Sequence, residues 1–76
     1  MDENRAIEIL MRVSGHDGGP LRPEMDLVVD LGFDSLRLIE LVVEIEDGLG
    51  IELRDADVRG LRTVHDMLEA LRKAGA

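Results

Sequence analysis

Ser35 is the residue whose surroundings best suit chemistry. Segment 30–36 reads Asp-Leu-Gly-Phe-Asp-Ser-Leu, so a glycine and an acid precede a serine that opens a predicted helix. Free backbone N–H groups and the positive end of the helix dipole suit this position to an attached or bound phosphate. Asp34 and Ser35 are also residue types that cap helices. The local pattern therefore leaves two interpretations open, a modification site and an N-cap.

Catalysis by Ser35 itself is the enzymatic alternative. His16 or His65 could act as the general base for a serine nucleophile. However, Gly-Phe-Asp-Ser-Leu is not the Gly-x-Ser-x-Gly nucleophile elbow, and no predicted strand leads into it. His65 is predicted on the polar side of the last helix, and His16 lies in a glycine-rich loop. The sequence therefore predicts a chain that is not itself an enzyme.

Three acids, Asp26, Asp30 and Asp34, recur every four residues and raise the question of calcium binding. An EF-hand loop needs ligands at alternate positions, a central glycine and a closing glutamate, and no window of this sequence fits. The sequence contains no cysteine, which excludes disulfides, a thiolate nucleophile and cysteine-ligated metals. We predict no metal site, and we expect these acids to cap or solvate the loop.

Length and charge narrow the classes of partner. The chain has 76 residues, with 17 acidic and 9 basic side chains and a net charge of −8. Nucleic acids and anionic membranes select positive surfaces, so neither is an expected partner, and a basic protein face is favoured. No apolar run approaches the roughly 20 residues of a membrane helix, and the N-terminus is acidic where a signal peptide is basic. We therefore predict a cytoplasmic protein.

Hydrophobic periodicity predicts an all-α fold with four helices in a single domain over residues 1–76. We expect these helices to form a right-handed four-helix bundle. The predicted elements are a helix over 2–13, a long loop over 14–34, a helix over 35–48, a short helix over 55–59 and a helix over 63–74. Thr63 followed by Asp66 is a variant of the capping box. The second half of the loop is apolar, Val28 included, and should lie against the core. A loop this long in so small a domain points to function.

The helix over 35–48 carries more apolar residues than one core-facing stripe requires. Leu36 and Val43 are difficult to bury together with that stripe, so we expect one or both to be exposed. Apolar anchors beside carboxylates suit a docking surface for basic partner proteins, although isolated apolar residues are common on surfaces. The predicted docking residues are Leu36, Arg37, Glu40, Val43, Glu44 and Asp47.

Segment 30–36, with Leu-Ile-Glu-Leu at 38–41 and Gly-Ile-Glu-Leu at 50–53, resembles the acyl and peptidyl carrier proteins. Their motif is Asp-Ser-Leu after a Leu-Gly pair, followed by a helix with an acidic face. The similarity extends over residues 2–73. It implies that Ser35 is esterified with phosphopantetheine, which a phosphopantetheinyl transferase takes from coenzyme A. The terminal thiol of that arm would carry acyl or aminoacyl groups as thioesters.

The resemblance also assigns roles to the neighbours of Ser35. Asp34 would help to position the transferase and its magnesium, which implies only a transient metal, and Leu36 completes the motif. In the family the acyl chain can enter the space between the helices, although the residues facing that space also serve as core. The candidates for lining it are Leu31, Phe33, Ile39, Val42, Ile51, Val58, Leu61 and Leu68.

The motif also suggests a type of carrier. Arg37 departs from the acid or small polar residue of primary-metabolism carriers, and Gly-Phe-Asp-Ser-Leu is most like polyketide-type carriers. We therefore expect a discrete, monomeric acyl carrier of polyketide-like or other specialised metabolism. Expected partners are the transferase and an acyltransferase, ketosynthase or adenylating ligase with basic docking faces. A peptidyl carrier of nonribosomal peptide synthesis and an unmodified acidic helical adaptor are the alternatives.

Overall fold

A computed structural model describes residues 3–16 and 19–75, and within them it forms four α-helices. Their bounds are α1 Glu3–Ser14, α2 Ser35–Leu49, α3 Asp55–Arg59 and α4 Val64–Lys73. The predicted start of the first helix at residue 2 lies outside the described residues, as do loop positions 17 and 18. The predicted all-α, four-helix architecture is confirmed, and the only β-type pairing in the described ranges is an isolated antiparallel bridge between Asp26 and Thr63.

Local signals explain where the helices begin and end. Asp34 caps α2, and Gly50 ends it in the left-handed region at φ 66°. Thr63 and Asp66 form the expected capping box of α4, in which each side chain accepts the other residue's backbone N–H. These caps satisfy backbone groups that a helix end leaves without partners, so they fix the start of α2 after the long loop and the start of α4 after α3.

The core lies where one face of each long helix meets the loop between α1 and α2. Its fully buried large side chains come from three helices and from that loop. They are Leu10, Leu27, Leu41, Ile45, Met67 and Leu71. α3 contributes no buried residue, and its approach is fixed by Glu46, whose Oε2 accepts a hydrogen bond from Leu53 N at 2.9 Å. The helix that carries Ser35 is therefore packed on its inner face along most of its length.

The long loop is attached to the start of α4 by backbone hydrogen bonds. Leu27 N donates to Arg62 O at 2.8 Å, and Val64 N donates to Met25 O at 3.0 Å. Leu27 is fully buried as expected, but Val28 is 54% exposed, so the expectation that Val28 lies against the core is wrong. The reason is local: Asp26 Oδ1 accepts the N–H groups of Val28 and Val29, and the resulting turn directs both valines outward.

No helix in the described ranges is long and apolar enough to cross a bilayer.

Candidate functional site

Ser35 is the first residue of α2, and its side chain is exposed. The cap is Asp34, whose backbone is extended (φ −111°, ψ −177°) and whose Oδ1 accepts from Arg37 N at 2.8 Å. Of the two residues whose types favour capping, Asp34 and Ser35, the structure therefore assigns the N-cap to Asp34. Within residues 3–16 and 19–75, no hydrogen bond engages Ser35 Oγ, so the hydroxyl is accessible to a modifying enzyme.

The segment before Ser35 is held firmly although it is not helical. Phe33 is 2% exposed, and its N–H donates to Leu27 O at 2.9 Å. Gly32 lies at φ 76°, a conformation that glycine adopts without the steric cost of a side chain. The buried phenyl ring fixes the chain two residues before Ser35. The start of α2 is thus presented at the surface on a fixed backbone.

These features fit a covalently attached phosphate ester. The hydroxyl is exposed, it forms no hydrogen bond with any described residue, and it stands at the positive end of a helix of 15 residues. Among the described residues, the main-chain N–H groups of Ser35 and Leu36 have no acceptor and are left for an anionic oxygen, whereas those of Arg37 and Leu38 donate to Asp34. The described residues contain no cluster of His, Asp or Glu suited to a resident metal ion. Neither His16 nor His65 is hydrogen-bonded to Ser35, so nothing in the described structure pairs the serine with a base.

The predicted docking residues divide between two faces of α2. Leu36 and Val43 are 66% and 57% exposed, which confirms the expectation that the helix cannot bury them. Glu40 and Asp47 are also exposed, and the spacing of 36, 40, 43 and 47 places all four on one face. We call these four residues the outer face of α2.

The other two predicted docking residues contact α1. Arg37 Nη1 donates to Val13 O at 2.5 Å, and Glu44 Oε2 lies 2.5 Å from Arg12 Nη2. Arg5 Nε also donates to the backbone oxygen of Gly48 at 3.3 Å. Arg37, Glu44 and Gly48 therefore form a second face, at the contact between α1 and α2. The sequence did not reveal these cross-helix contacts, because they depend on how the two helices align.

The candidates for lining an acyl-chain space differ in burial. Ile39 is 59% exposed, so the expectation that it lines the interior is wrong in this structure: its position on the wheel of α2 lies next to the outer face. Leu31 and Phe33 are buried in the core. The remaining five are partly buried, namely Val42, Ile51, Val58, Leu61 and Leu68.

Residues 4–71 match the family model described as the phosphopantetheine attachment site. A meromycolate extension acyl carrier protein of Mycobacterium tuberculosis is 39% identical over 66 residues, 87% of this chain and 57% of that protein. An acyl carrier protein of Syntrophobacter fumaroxidans is 36% identical over 69 residues, 91% of this chain and 85% of that protein.

Two solved structures share the fold. A putative acyl carrier protein from Mycobacterium tuberculosis superposes with a TM-score of 0.87 at 32% identity, over 96% of this chain and 97% of that one. An acyl carrier protein from Thermotoga maritima gives 0.78 at 26% identity, over 97% and 91%. The chain spans just over half the length of several meromycolate extension relatives that it matches. The chain belongs to the acyl carrier protein family, whose members are non-catalytic carriers with covalently attached phosphopantetheine.

Proposed function

We propose that Ser35 carries the phosphopantetheine arm and that the chain presents acyl intermediates on it as thioesters. The observation that carries this proposal is the exposed Ser35 hydroxyl at the start of α2, which bonds to no residue that the structure describes and lies beside a separate capping acid. In the transfer, Ser35 Oγ attacks the β-phosphorus of coenzyme A and releases adenosine 3′,5′-bisphosphate. The serine proton leaves to a base of the transferase. The tethered thiol then supplies the reactive group that a chain without cysteine lacks.

The chemical class of the cargo is inferred from the named relatives and from the motif around Ser35. Relatives named as acyl carrier proteins support an acyl cargo over an aminoacyl one. Several of these relatives are named for meromycolate extension, which supports a specialised acyl-chain pathway, and the Gly-Phe-Asp-Ser-Leu segment supports a polyketide-like one. Either way, the chain's contribution is to hold the intermediate at high local concentration beside successive enzymes.

Loading tests the attachment site directly. The purified chain is incubated with coenzyme A, magnesium and a promiscuous phosphopantetheinyl transferase and then weighed by mass spectrometry. We expect one added arm, which Ser35→Ala abolishes. Ser14 is a matched control because it is the one other serine of the chain, and its hydroxyl donates to Met11 O at 3.2 Å. Ser14→Ala should still load. An unchanged mass with several transferases would favour the unmodified adaptor.

We further propose that the outer face of α2 docks partner enzymes. Two apolar side chains, Leu36 and Val43, alternate there with two carboxylates, Glu40 and Asp47, which suits a partner that pairs basic groups with an apolar patch. Glu40→Lys should slow acyl transfer by a partner while circular dichroism shows an intact fold. Glu52→Lys, the same change at an exposed acid outside α2, should have a smaller effect. Equal effects of the two variants would refute this docking face.

A further inference from the structure

Three contacts join the edge of α2 to α1. Arg37, Glu44 and Gly48 lie on one face of α2, and they bond to Val13, Arg12 and Arg5 of α1, respectively. Positions separated by seven and four residues share a helix face, so the three contacts follow the length of the helix pair. We call these six residues the α1–α2 seam. The seam brings a cation of α1 to a carboxylate that the sequence alone assigns to partner docking.

The exposed carboxylates of α2 differ in whether an ion pair across the seam engages them. Glu44 is paired with Arg12, whereas Glu40 forms no ion pair with any described residue. Asp47 borders an open cleft of about 410 Å³ on the seam but is likewise unpaired among the described residues. An approaching lysine or arginine therefore meets free negative charge at Glu40 and an existing cation at Glu44. Position on the outer face and unpaired charge thus both favour Glu40 and Asp47 over Glu44.

We infer that Arg12 is a specificity-determining residue that withdraws Glu44 from partner docking. This inference rests on the proposed carrier function and deepens it by naming how the docking face is selected. Both members of the pair are largely exposed, with side chains 66% and 49% accessible, so the pair is weak as a stabilising contact. Its consequence lies in recognition: a basic partner must displace Arg12, and is repelled by it, before it can use Glu44.

A double-mutant cycle tests the inference with a promiscuous phosphopantetheinyl transferase that has a basic docking face. The measurement is kcat/KM for loading at low ionic strength, where exposed charges are least screened. In the wild-type background Glu44→Gln should change kcat/KM less than about twofold. In the Arg12→Gln background it should lower kcat/KM roughly two- to fivefold, because Glu44 then contacts the partner. Glu40→Gln should lower kcat/KM in both backgrounds alike.

Arg5→Gln is the matched control for the change in net charge. It removes the same charge from the same seam, but Arg5 bonds to a backbone oxygen and not to Glu44. Glu44→Gln should therefore stay near neutral in the Arg5→Gln background. If Glu44→Gln has the same effect with and without Arg12, the inference is overturned while the carrier function stands. If the wild-type chain accepts no arm at all, both the proposed function and this inference are refuted.

Discussion

At the start of α2, two adjacent residues divide two tasks. Asp34 Oδ1 accepts the N–H of Arg37, so the capping requirement of the helix is met by a side chain outside it. Ser35 then occupies the first helical position with its hydroxyl exposed and unbonded to the described residues. A serine at the cap position would instead accept a backbone N–H of the first turn with its hydroxyl oxygen. The order Asp-Ser thus explains how a helix terminus can be both stable and available for modification.

Replacing Asp34 separates its capping role from a role in loading. Asp34→Ala should lower the free energy of unfolding by about 1 kcal/mol, because the Arg37 N–H loses its acceptor. Asp34→Asn keeps an acceptor of similar geometry and should unfold like the wild type in urea. If Asp34→Asn is stable but loads slowly, the carboxylate charge acts in the transfer. Equal losses of stability in the two variants would contradict the capping role.

The capping box of α4 gives the protein a specific dependence on pH. The hydrogen bond from Thr63 N–H lowers the pKa of the Asp66 carboxyl from its ordinary 3.8, the bond from Arg62 N–H acts in the same direction, and partial burial opposes both. The unfolded chain therefore binds this proton more readily than the folded one. The stabilisation by Asp66 is complete above the unfolded pKa and is lost as pH falls through the folded pKa.

Asp66→Asn should show this dependence. At neutral pH the variant should be less stable than wild type by roughly 1 kcal/mol in urea unfolding, and the difference should shrink towards about pH 3. Thr63→Ala is the control, since it removes an acceptor that does not titrate from the same box. Most of its cost should persist at both pH values, since the Thr63 side chain is only a minor cause of the lowered Asp66 pKa. Parallel pH curves for wild type and Asp66→Asn would exclude a contribution from the ionised carboxylate.

The residue types of both caps could be read from the sequence because capping is local. Thr63 and Asp66 are three residues apart, so their pairing needs no knowledge of the tertiary structure. The pair Arg12 and Glu44 is 32 residues apart and depends on the alignment of two helices, which residue spacing does not encode. The expectation that Val28 is buried was wrong for another local reason: an aspartate two residues earlier turns the backbone and exposes the valine side chain.

At the scale of elements, the contact between α1 and α2 depends on a close approach at Gly48. A Cβ added at this position would lie 3.0 Å from Ile9 Cδ1, and Ile9 is 6% exposed. Glycine within a helix normally costs about 0.5–1 kcal/mol relative to alanine. Gly48 therefore lowers the helix propensity of α2 but allows α1 to pack closely against it. This close packing forms the seam beside the docking face.

Gly48→Ala should therefore be destabilising or neutral in the wild type despite its better helix propensity, because Ile9 is confined by the core. Ile9→Val removes the Cδ1 atom that the new methyl group would meet. In that background Gly48→Ala should stabilise the protein by about 0.5–1 kcal/mol in urea unfolding. If Gly48→Ala is equally stabilising in both backgrounds, the close approach does not limit the helix contact.

Hydrophobic periodicity does not predict how the short α3 is attached to the rest of the fold. Five residues between a cap and a glycine are enough to predict a turn or two of helix, yet they do not say how the helix is held. None of its residues is buried, and the preceding connection is attached through Glu46, which accepts the Leu53 N–H. Glu46 was not singled out from the sequence because an acid beside the core-facing stripe of a helix gives no sign of a backbone partner seven residues later.

At the scale of the whole molecule, charge works against folding and in favour of recognition. A net charge of −8 is spread over a chain whose Cα radius of gyration is 11.0 Å. Charges of one sign at such distances repel in the folded state more than in the expanded chain. The same excess attracts a basic partner and raises the rate of encounter. Salt should therefore have opposite effects on the two properties: it stabilises the fold and slows association.

Thermal unfolding at low and high sodium chloride tests the folding half of this expectation. Raising the salt from about 0.01 M to about 0.5 M, which shortens the Debye length from roughly 30 Å to under 8 Å, should raise Tm. Two single-charge variants near α3 provide the control, since neither Glu52 nor Arg59 forms an ion pair with the described residues. Glu52→Gln should reduce the salt-induced rise in Tm, and Arg59→Gln should enlarge it. A shift of the same sign in both would mean that salt acts through hydrophobic burial or ion binding and not through net charge.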